Sequence, residues 1–522
     1  MRNIWSFYGE DTYKILPNLT ISQGLRYELT PPWNDTFGNN FTAYVPNMPV
    51  QGDTSTTFPQ NEWPFYVRQG NCSPANVYQG LAIVWTTTLG PSPVCSNGLL
   101  PNGPLLDTRH LNLAPRLGIS YSPTPTIVIR TGYGVFYNQD IGNSYFDMAR
   151  NIAGRVTFNN VDATAPYGNS NLTFANAAPG GSGAIAQLPP STAYYVAVSH
   201  KTTYTEEYLF NIQQQVGQDW SFELGYQGAE HRHLYGFLNA NVTSPYGYIG
   251  SGTATSVASR TPFANMGGIQ DAHDMGTGNY NAFSVKATRR FSKGLNVIAS
   301  YTLGKSLDDT SGIRNQGNDE LYPQNSECIS CEYGRSAFDV KNRIVASALY
   351  ELPIGPGKLL PVEGALDAAI GGWQVGGIFT HQTGVVATPL LGADNAGIAS
   401  PFGNFDRPNP TGQSPYLSGT ARTLNDWVNK AAYAEAAPGF FGNLQRGSFT
   451  SPGLTNLDAS LHKEFNMPYN EKHQLAIRFE AFNALNHPNW NEPNLTYTSS
   501  TFGRITGTGA LRQLQLAIKY QF

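Results

Sequence analysis

Cys328 and Cys331 are separated by two residues, the spacing of a redox pair or of half a tetrahedral zinc site. There is no second C-x-x-C, and no βαβ pattern surrounds the pair. It therefore reads as a local disulfide in a long loop, with Cys72 and Cys95 forming a similar staple in another loop. Glu230-His231-Arg232-His233 brings together residue types that bind metals, but at the start of a loop two histidines are expected to be solvated. Asp458, His462 and Glu464 alternate along one segment and could serve as acid and base. There is no G-x-S-x-G elbow and no H-E-x-x-H helix. The glycine run Gly180-Gly-Ser-Gly has no strand and helix around it to cradle a phosphate. The reading is of a protein that is not an enzyme, with no catalytic residue, metal or cofactor.

What positions these residues is written in the composition. Charged residues make up 13% of the 522, about half the ~25% of soluble globular chains. Aromatics reach 12%, with 29 Tyr and 27 Phe. Yet mean hydropathy is -0.31, and no window approaches the ~18 apolar residues of a spanning helix. Strands that show apolar side chains to lipid and polar ones to a lumen produce this combination. The net charge of -4 with no basic block removes nucleic acid as a partner. The opening Met1-Arg-Asn-Ile-Trp-Ser-Phe-Tyr has no basic region followed by an apolar core, so no signal peptide is read and Met1 is expected to be an internal start.

The two-residue period is clearest near the C-terminus. There Leu514, Leu516, Ile518, Tyr520 and Phe522 alternate with Gln513, Gln515, Ala517, Lys519 and Gln521. A strand ending on a terminal Phe also reads as the assembly signal of an outer-membrane barrel, which makes the barrel-assembly machinery an expected partner. The alternation recurs in Asn18 to Leu29 and in Tyr208 to Val216 with Trp220 to Gln227. It recurs again in Phe283 to Leu303, and in Leu457 to Phe465 with Leu475 to Ala481. In Asn18 to Leu29 the charges fall opposite the apolar face, and in the last pair the opposite face carries Asp458, His462, Glu464, Arg478 and Glu480. Arg26, Glu28, Arg130, Asp339, Lys341, Arg343, Asp458, His462, Glu464, Arg478 and Glu480 are accordingly candidate lumen-facing charges, a setting that accounts for His462 and its acidic neighbours without catalysis.

Connections test this independently. Short turns near Pro17-Asn18, Ser122 to Pro125, Gly217 to Asp219, Ser292 to Gly294 and Asn466 to Glu471 alternate with long polar stretches. Those stretches occupy Thr30 to Asn112, Asn138 to Thr203, Leu234 to Gly278, Ser306 to Ala337, Thr383 to Thr455 and Asn486 to Ala510. Barrels have short periplasmic turns and long extracellular loops, whereas a compact soluble domain rarely carries repeated loops of this length. Pro353 to Gly372 is the exception, a long connection where a short one belongs, with Leu359, Leu360 and Leu366 inside it. The expected fold is all-β: an antiparallel transmembrane β-barrel with about 13 spanning strands. Because that number is odd and single-chain barrels use even ones, the barrel is expected to be partial.

Several stretches resemble the C-terminal barrel of Oar-like TonB-dependent receptors. They are Leu113-Ala-Pro-Arg-Leu-Gly-Ile-Ser-Tyr-Ser, Ile129-Arg-Thr-Gly-Tyr-Gly-Val-Phe-Tyr, Thr288-Arg-Arg-Phe-Ser-Lys-Gly-Leu and Ala299-Ser-Tyr-Thr-Leu-Gly-Lys-Ser. Further along come Asp339-Val-Lys-Asn-Arg-Ile-Val-Ala-Ser, Phe479-Glu-Ala-Phe-Asn-Ala-Leu-Asn-His and the run from Phe502-Gly-Arg-Ile into Gln513-Leu-Gln-Leu-Ala. The resemblance implies a place in the bacterial outer membrane and a share of a barrel of about 22 strands. It also implies energy-coupled movement of a bulky solute, with a plug domain and the TonB energy-coupling protein as partners in the complete protein. On this reading residues 1–522 are the C-terminal portion of such a barrel, without plug, regulatory-like sandwich or signal peptide. Two other readings make different demands. A surface adhesin would have to cover Leu516 and Ile518 with a second sheet, and a passive porin would conduct without a gate.

Overall fold

The computed structural model describes residues 2–33, 109–138, 201–250, 257–261, 268–312, 322–467 and 470–522, with a few short pieces between them. Thirteen strands form one antiparallel meander, each beside its neighbours in sequence. They are β1 (Trp5–Leu16), β2 (Leu19–Leu29), β3 (Asn112–Thr124), β4 (Ile127–Tyr137), β5 (Tyr204–Val216), β6 (Trp220–Asn239) and β7 (Gly268–Ser292). The series continues with β8 (Leu295–Asp308), β9 (Asn342–Glu351), β10 (Gln374–Gln382), β11 (Leu454–Met467), β12 (Asn470–Phe482) and β13 (Gln513–Gln521). β1 and β13 each pair on one side only, so the sheet is open among the described residues.

Register carries the two-residue period across the sheet, because directly opposed residues share a face. Ile518 opposes Ile477 and Leu516 opposes Phe479. Phe479 opposes Leu461, Leu461 opposes Val375 and Val375 opposes Tyr350. The apolar row continues through Leu295, and higher on the same face Tyr301, Val285, Leu224, Ile212 and Ile129 stand in line. Among the described residues no second sheet lies on this face: Leu514 is 76% exposed, Leu516 58% and Ile518 65%. That exposure removes the covered face a soluble sandwich needs.

The apolar face has polar borders. On β7, Arg289 and Asn281 lie on that face with Ala287, Val285 and Phe283 between them. The interval of about eight residues spans about 27 Å of strand at ~3.4 Å per residue, which matches an apolar band ~25 Å tall. Above it the same face turns polar, where Glu206 opposes Glu230 and Arg232 pairs with Glu230 at 3.3 Å.

Turn chemistry fixes the registers. Lys293 and Gly294 have φ of 49° and 76°, the positive pair of a two-residue hairpin turn whose twist suits the flanking strands. Gly217, at φ 62°, opens the turn between β5 and β6. Strand ends differ from the sequence reading on one side of the sheet. Leu234 to Asn239 and Gly268 to Gly278 belong to β6 and β7 and are not loop, so these strands, of 20 and 25 residues, outrun the ~9–11 that a bilayer requires. Their excess stands above the band.

The long connections are also not structureless. Ala387, Val428, Ala432, Tyr433, Leu444, Phe449, Leu495 and Phe502 form a buried cluster with Trp427 and Tyr497 packed on it. All of these come from residues 383–453 and 483–512. The hydrophobic core therefore sits in the loops while both faces of the sheet stay largely unburied, the reverse of a soluble β protein.

Candidate functional site: the polar face and the loop cap

Arg26 and Glu28 project from the same face of β2 and pair at 2.6 Å. Along that face Arg130 of β4 donates to Gln213 of β5 at 2.9 Å, and Asn211 donates to Glu223 of β6 at 2.8 Å. On β11 and β12, His462 opposes Arg478 and Ser460 opposes Glu480. His462 approaches Glu464 at 3.5 Å, and Arg478 approaches Glu480 at 3.7 Å. Asp458 accepts from Asn456 Nδ2 and from the Asn483 backbone N–H, both at 2.9 Å. It is thus tied to the strand end rather than gathered with His462, so these three residues form no acid and base constellation.

Two of the candidate charges lie outside the spanning strands. Asp339 precedes β9 and is almost fully buried, accepting from the Ser306 backbone N–H at 2.7 Å and from Arg335 at 2.8 Å. Lys341 is exposed, and its carbonyl accepts from Gly304 at 2.9 Å. Arg343 lies within β9 opposite Thr302 and Gln382. Glu230-His231-Arg232-His233 is strand, not loop, so alternation sends its side chains to opposite faces. His231 Nδ1 meets Thr205 Oγ1 at 2.9 Å, while His233, at φ 57°, occupies an irregularity in the ladder. Among the described residues no group of three or more His, Cys, Asp or Glu is placed to hold a metal ion.

The Cys328–Cys331 disulfide is present at the start of the short 3-10 turn Ile329–Glu332; Cys72 and Cys95 lie outside the described residues. Its neighbour Glu332 anchors the loop cap. Arg407 donates to both Glu332 carboxylate oxygens, at 2.9 and 3.0 Å, with both side chains about 5% exposed. The Gln324 backbone N–H donates to the same carboxylate, and Gln324 Oε1 accepts from the Arg407 backbone. Arg446 reaches the Glu332 carbonyl at 2.8 Å and forms a buried ion pair with Asp308 at the top of β8. Tyr322 stacks on Phe402 at 4.4 Å and donates its hydroxyl to Gln270 of β7 at 2.7 Å. Three connections, residues 322–341, 383–453 and 483–512, are thereby packed together and locked onto strand tops.

Burial shapes the acidity of the cap. It pushes the Asp406 carboxyl up to about 6, against the lowering effect of the Ala396 backbone N–H. Asp309 is raised by burial as well, despite hydrogen bonds from Thr277. Tyr433, inside the apolar cluster, has its hydroxyl raised for the same reason. Sequence reasoning missed Asp308, Gln324, Glu332, Arg407 and Arg446, because partners 75 to 138 residues apart in loops leave no periodic trace.

The family model described as "Outer membrane beta barrel domain" matches residues 1–515. No curated protein matches the chain. Among solved structures the chain is similar to the outer membrane transporter YddB from Escherichia coli, at 12% identity and a TM-score of 0.44, covering 99% of this chain and 54% of that one. It is similar to the ferric-catecholate import receptor Fiu from E. coli K12, at 11% and 0.41, covering 100% and 44%. The FrpB iron transporter from Neisseria meningitidis, F3-3 variant, stands at 10% and 0.43, covering 99% and 45%. The chain spans about half the length of these structures. Matched along nearly its whole length, the chain belongs to the outer membrane β-barrel domain family, and its place is the bacterial outer membrane.

Proposed function

We propose that the chain forms the C-terminal barrel wall and outer cap of an Oar-like TonB-dependent receptor that moves a bulky solute across the outer membrane. The observation that carries this reading is the cap. A diffusion pore needs an unobstructed mouth, whereas here connections 383–453 and 483–512 share an apolar core, the buried Arg407–Glu332 pair ties the first of them to 322–341, and the buried Arg446–Asp308 pair clamps it to β8. Such a lid suits capture and gated release. The complete receptor adds a plug domain inside the barrel and coupling to the TonB energy-coupling protein. The polar-face charges Arg26, Glu28, Arg130, Arg343, Arg478 and Glu480 line the path, and the solute is met first by the cap.

Conductance in planar bilayers tests the proposal on the protein extracted from outer membranes. A gated receptor stays closed at rest and conducts after mild denaturant loosens its gate. A steady, large open pore in the untreated protein would instead establish a passive porin.

A further inference from the structure

Lys463 has an unusual position. It opposes Ile477 in the ladder and lies between Leu461 and Phe465, so its side chain emerges on the apolar, lipid-side face. It is nevertheless 4% exposed. The cover is the short helix Gly364–Ile370, in the Pro353 to Gly372 connection that the sequence leaves unexplained. Lys463 Nζ donates to the carbonyls of Asp367 and Ala368, at 3.2 and 2.6 Å, and lies over the rings of Phe465 and Trp373. Trp373 Nε1 donates to the Ala369 carbonyl at 3.0 Å. Two side chains, Lys463 in β11 and Trp373 just before β10, thus hold three successive carbonyls of the helix C-terminus, where a cation is favoured.

This clamp places the connection outside the sheet, against the face that carries Tyr350, Val375 and Leu461. Its own apolar side chains then point away from any protein cover: Leu359 is 81% exposed, Leu360 55%, Leu366 56% and Ile370 41%. Leu366 and Ile370 are four apart and share one side of the helix. Lys358 is occupied by Glu351 at 2.6 Å. The apolar surface is continuous with the lipid-facing band and lies at its short-turn, periplasmic border.

We propose that Pro353 to Gly372 is an interfacial anchor, seated in the phospholipid leaflet on the periplasmic side with Leu359, Leu360, Leu366 and Ile370 among the acyl chains. It is the β-barrel counterpart of an amphipathic helix lying in a membrane surface. The inference rests on family membership and is independent of what the barrel carries. Lys463, a charge on the lipid face, is tolerated there because the helix carbonyls solvate it.

Spin labels at Leu366→Cys and Leu359→Cys, with Cys72 and Cys95 changed to Ser, test this in outer-membrane vesicles. Labels at Leu516→Cys and Ser460→Cys serve as lipid and polar-face references. The expected result is several-fold more collision with dissolved oxygen than with a water-soluble nickel chelate at residues 359 and 366, approaching the residue 516 reference. Collision dominated by nickel would place the connection in water and overturn the proposal. Protection from both reagents with spin-spin broadening would mean a second copy covers it, and would overturn it equally. Lys463→Met should raise label mobility at residue 366 while the protein keeps its heat-modifiable migration; unchanged mobility would refute the clamp.

Discussion

The Arg407 guanidinium grips the Glu332 carboxylate through two hydrogen bonds, at 2.9 and 3.0 Å, across 75 residues of chain. Both groups are almost fully buried, so each depends on the other. Removing one partner of such a pair leaves an unpaired buried charge at a cost of about 3–5 kcal/mol, whereas replacing both with apolar side chains costs far less. Arg407→Met and Glu332→Leu should each open the cap to protease on intact cells at lower urea than the wild type. The double variant should recover most of the difference. Equal cleavage of all four proteins would mean the pair does not hold the cap.

Asp406 gives the cap a pH dependence of known sign. Its folded pKa, about 6, lies above the ordinary 3.8, so the folded cap keeps a proton that the unfolded chain releases. The contribution is full below about pH 4 and lost as pH rises through about 6, a change of about 3 kcal/mol for a shift of this size. Asp309 shifts in the same direction, so the informative quantity is the difference between wild type and Asp406→Asn. Urea melts of the cap followed by proteolysis should show a shallower fall in stability between pH 4 and 6.5 in the variant. Identical slopes would contradict the burial argument.

Cys328 and Cys331 close a loop of only a few residues, so the crosslink restricts the unfolded chain little. Loop-closure arguments give about 2 kcal/mol for so small a ring. The Cys328→Ser, Cys331→Ser double variant should therefore lose less cap stability than either Arg407→Met or Glu332→Leu. A loss larger than theirs would show that the disulfide, and not the ion pair, positions Glu332.

The spanning strands were legible in the sequence because their signal is local. The alternation of Leu514, Leu516, Ile518 and Tyr520 with polar neighbours is a period of two, and so are the segments around Leu224 and Val285. The same period puts Arg26, Glu28 and Arg478 at register positions opposite the apolar face. Asp339 was misplaced because it follows the strand pattern without belonging to a strand. The cap was not legible: Leu444, Phe449 and Leu495 meet through loops whose apolar residues follow no period. Gly364–Ile370 was missed because seven residues are too few to display a helical repeat, and its partner Lys463 looks like an interruption of the apolar face until the register is known.

Adjacent residues of β13 test the assignment of the two faces most directly. Leu516 opposes Phe479 on the apolar face, while Gln515 opposes Glu480 on the polar one. Arginine on the lipid face costs about 2–4 kcal/mol near the bilayer midplane, whereas arginine beside Glu480 gains a partner. Leu516→Arg should sharply reduce the protein recovered in the outer-membrane fraction, and Gln515→Arg should leave it near the wild-type level. Equal recovery of the two variants, or the reverse order, would contradict the face assignment on which the barrel reading rests.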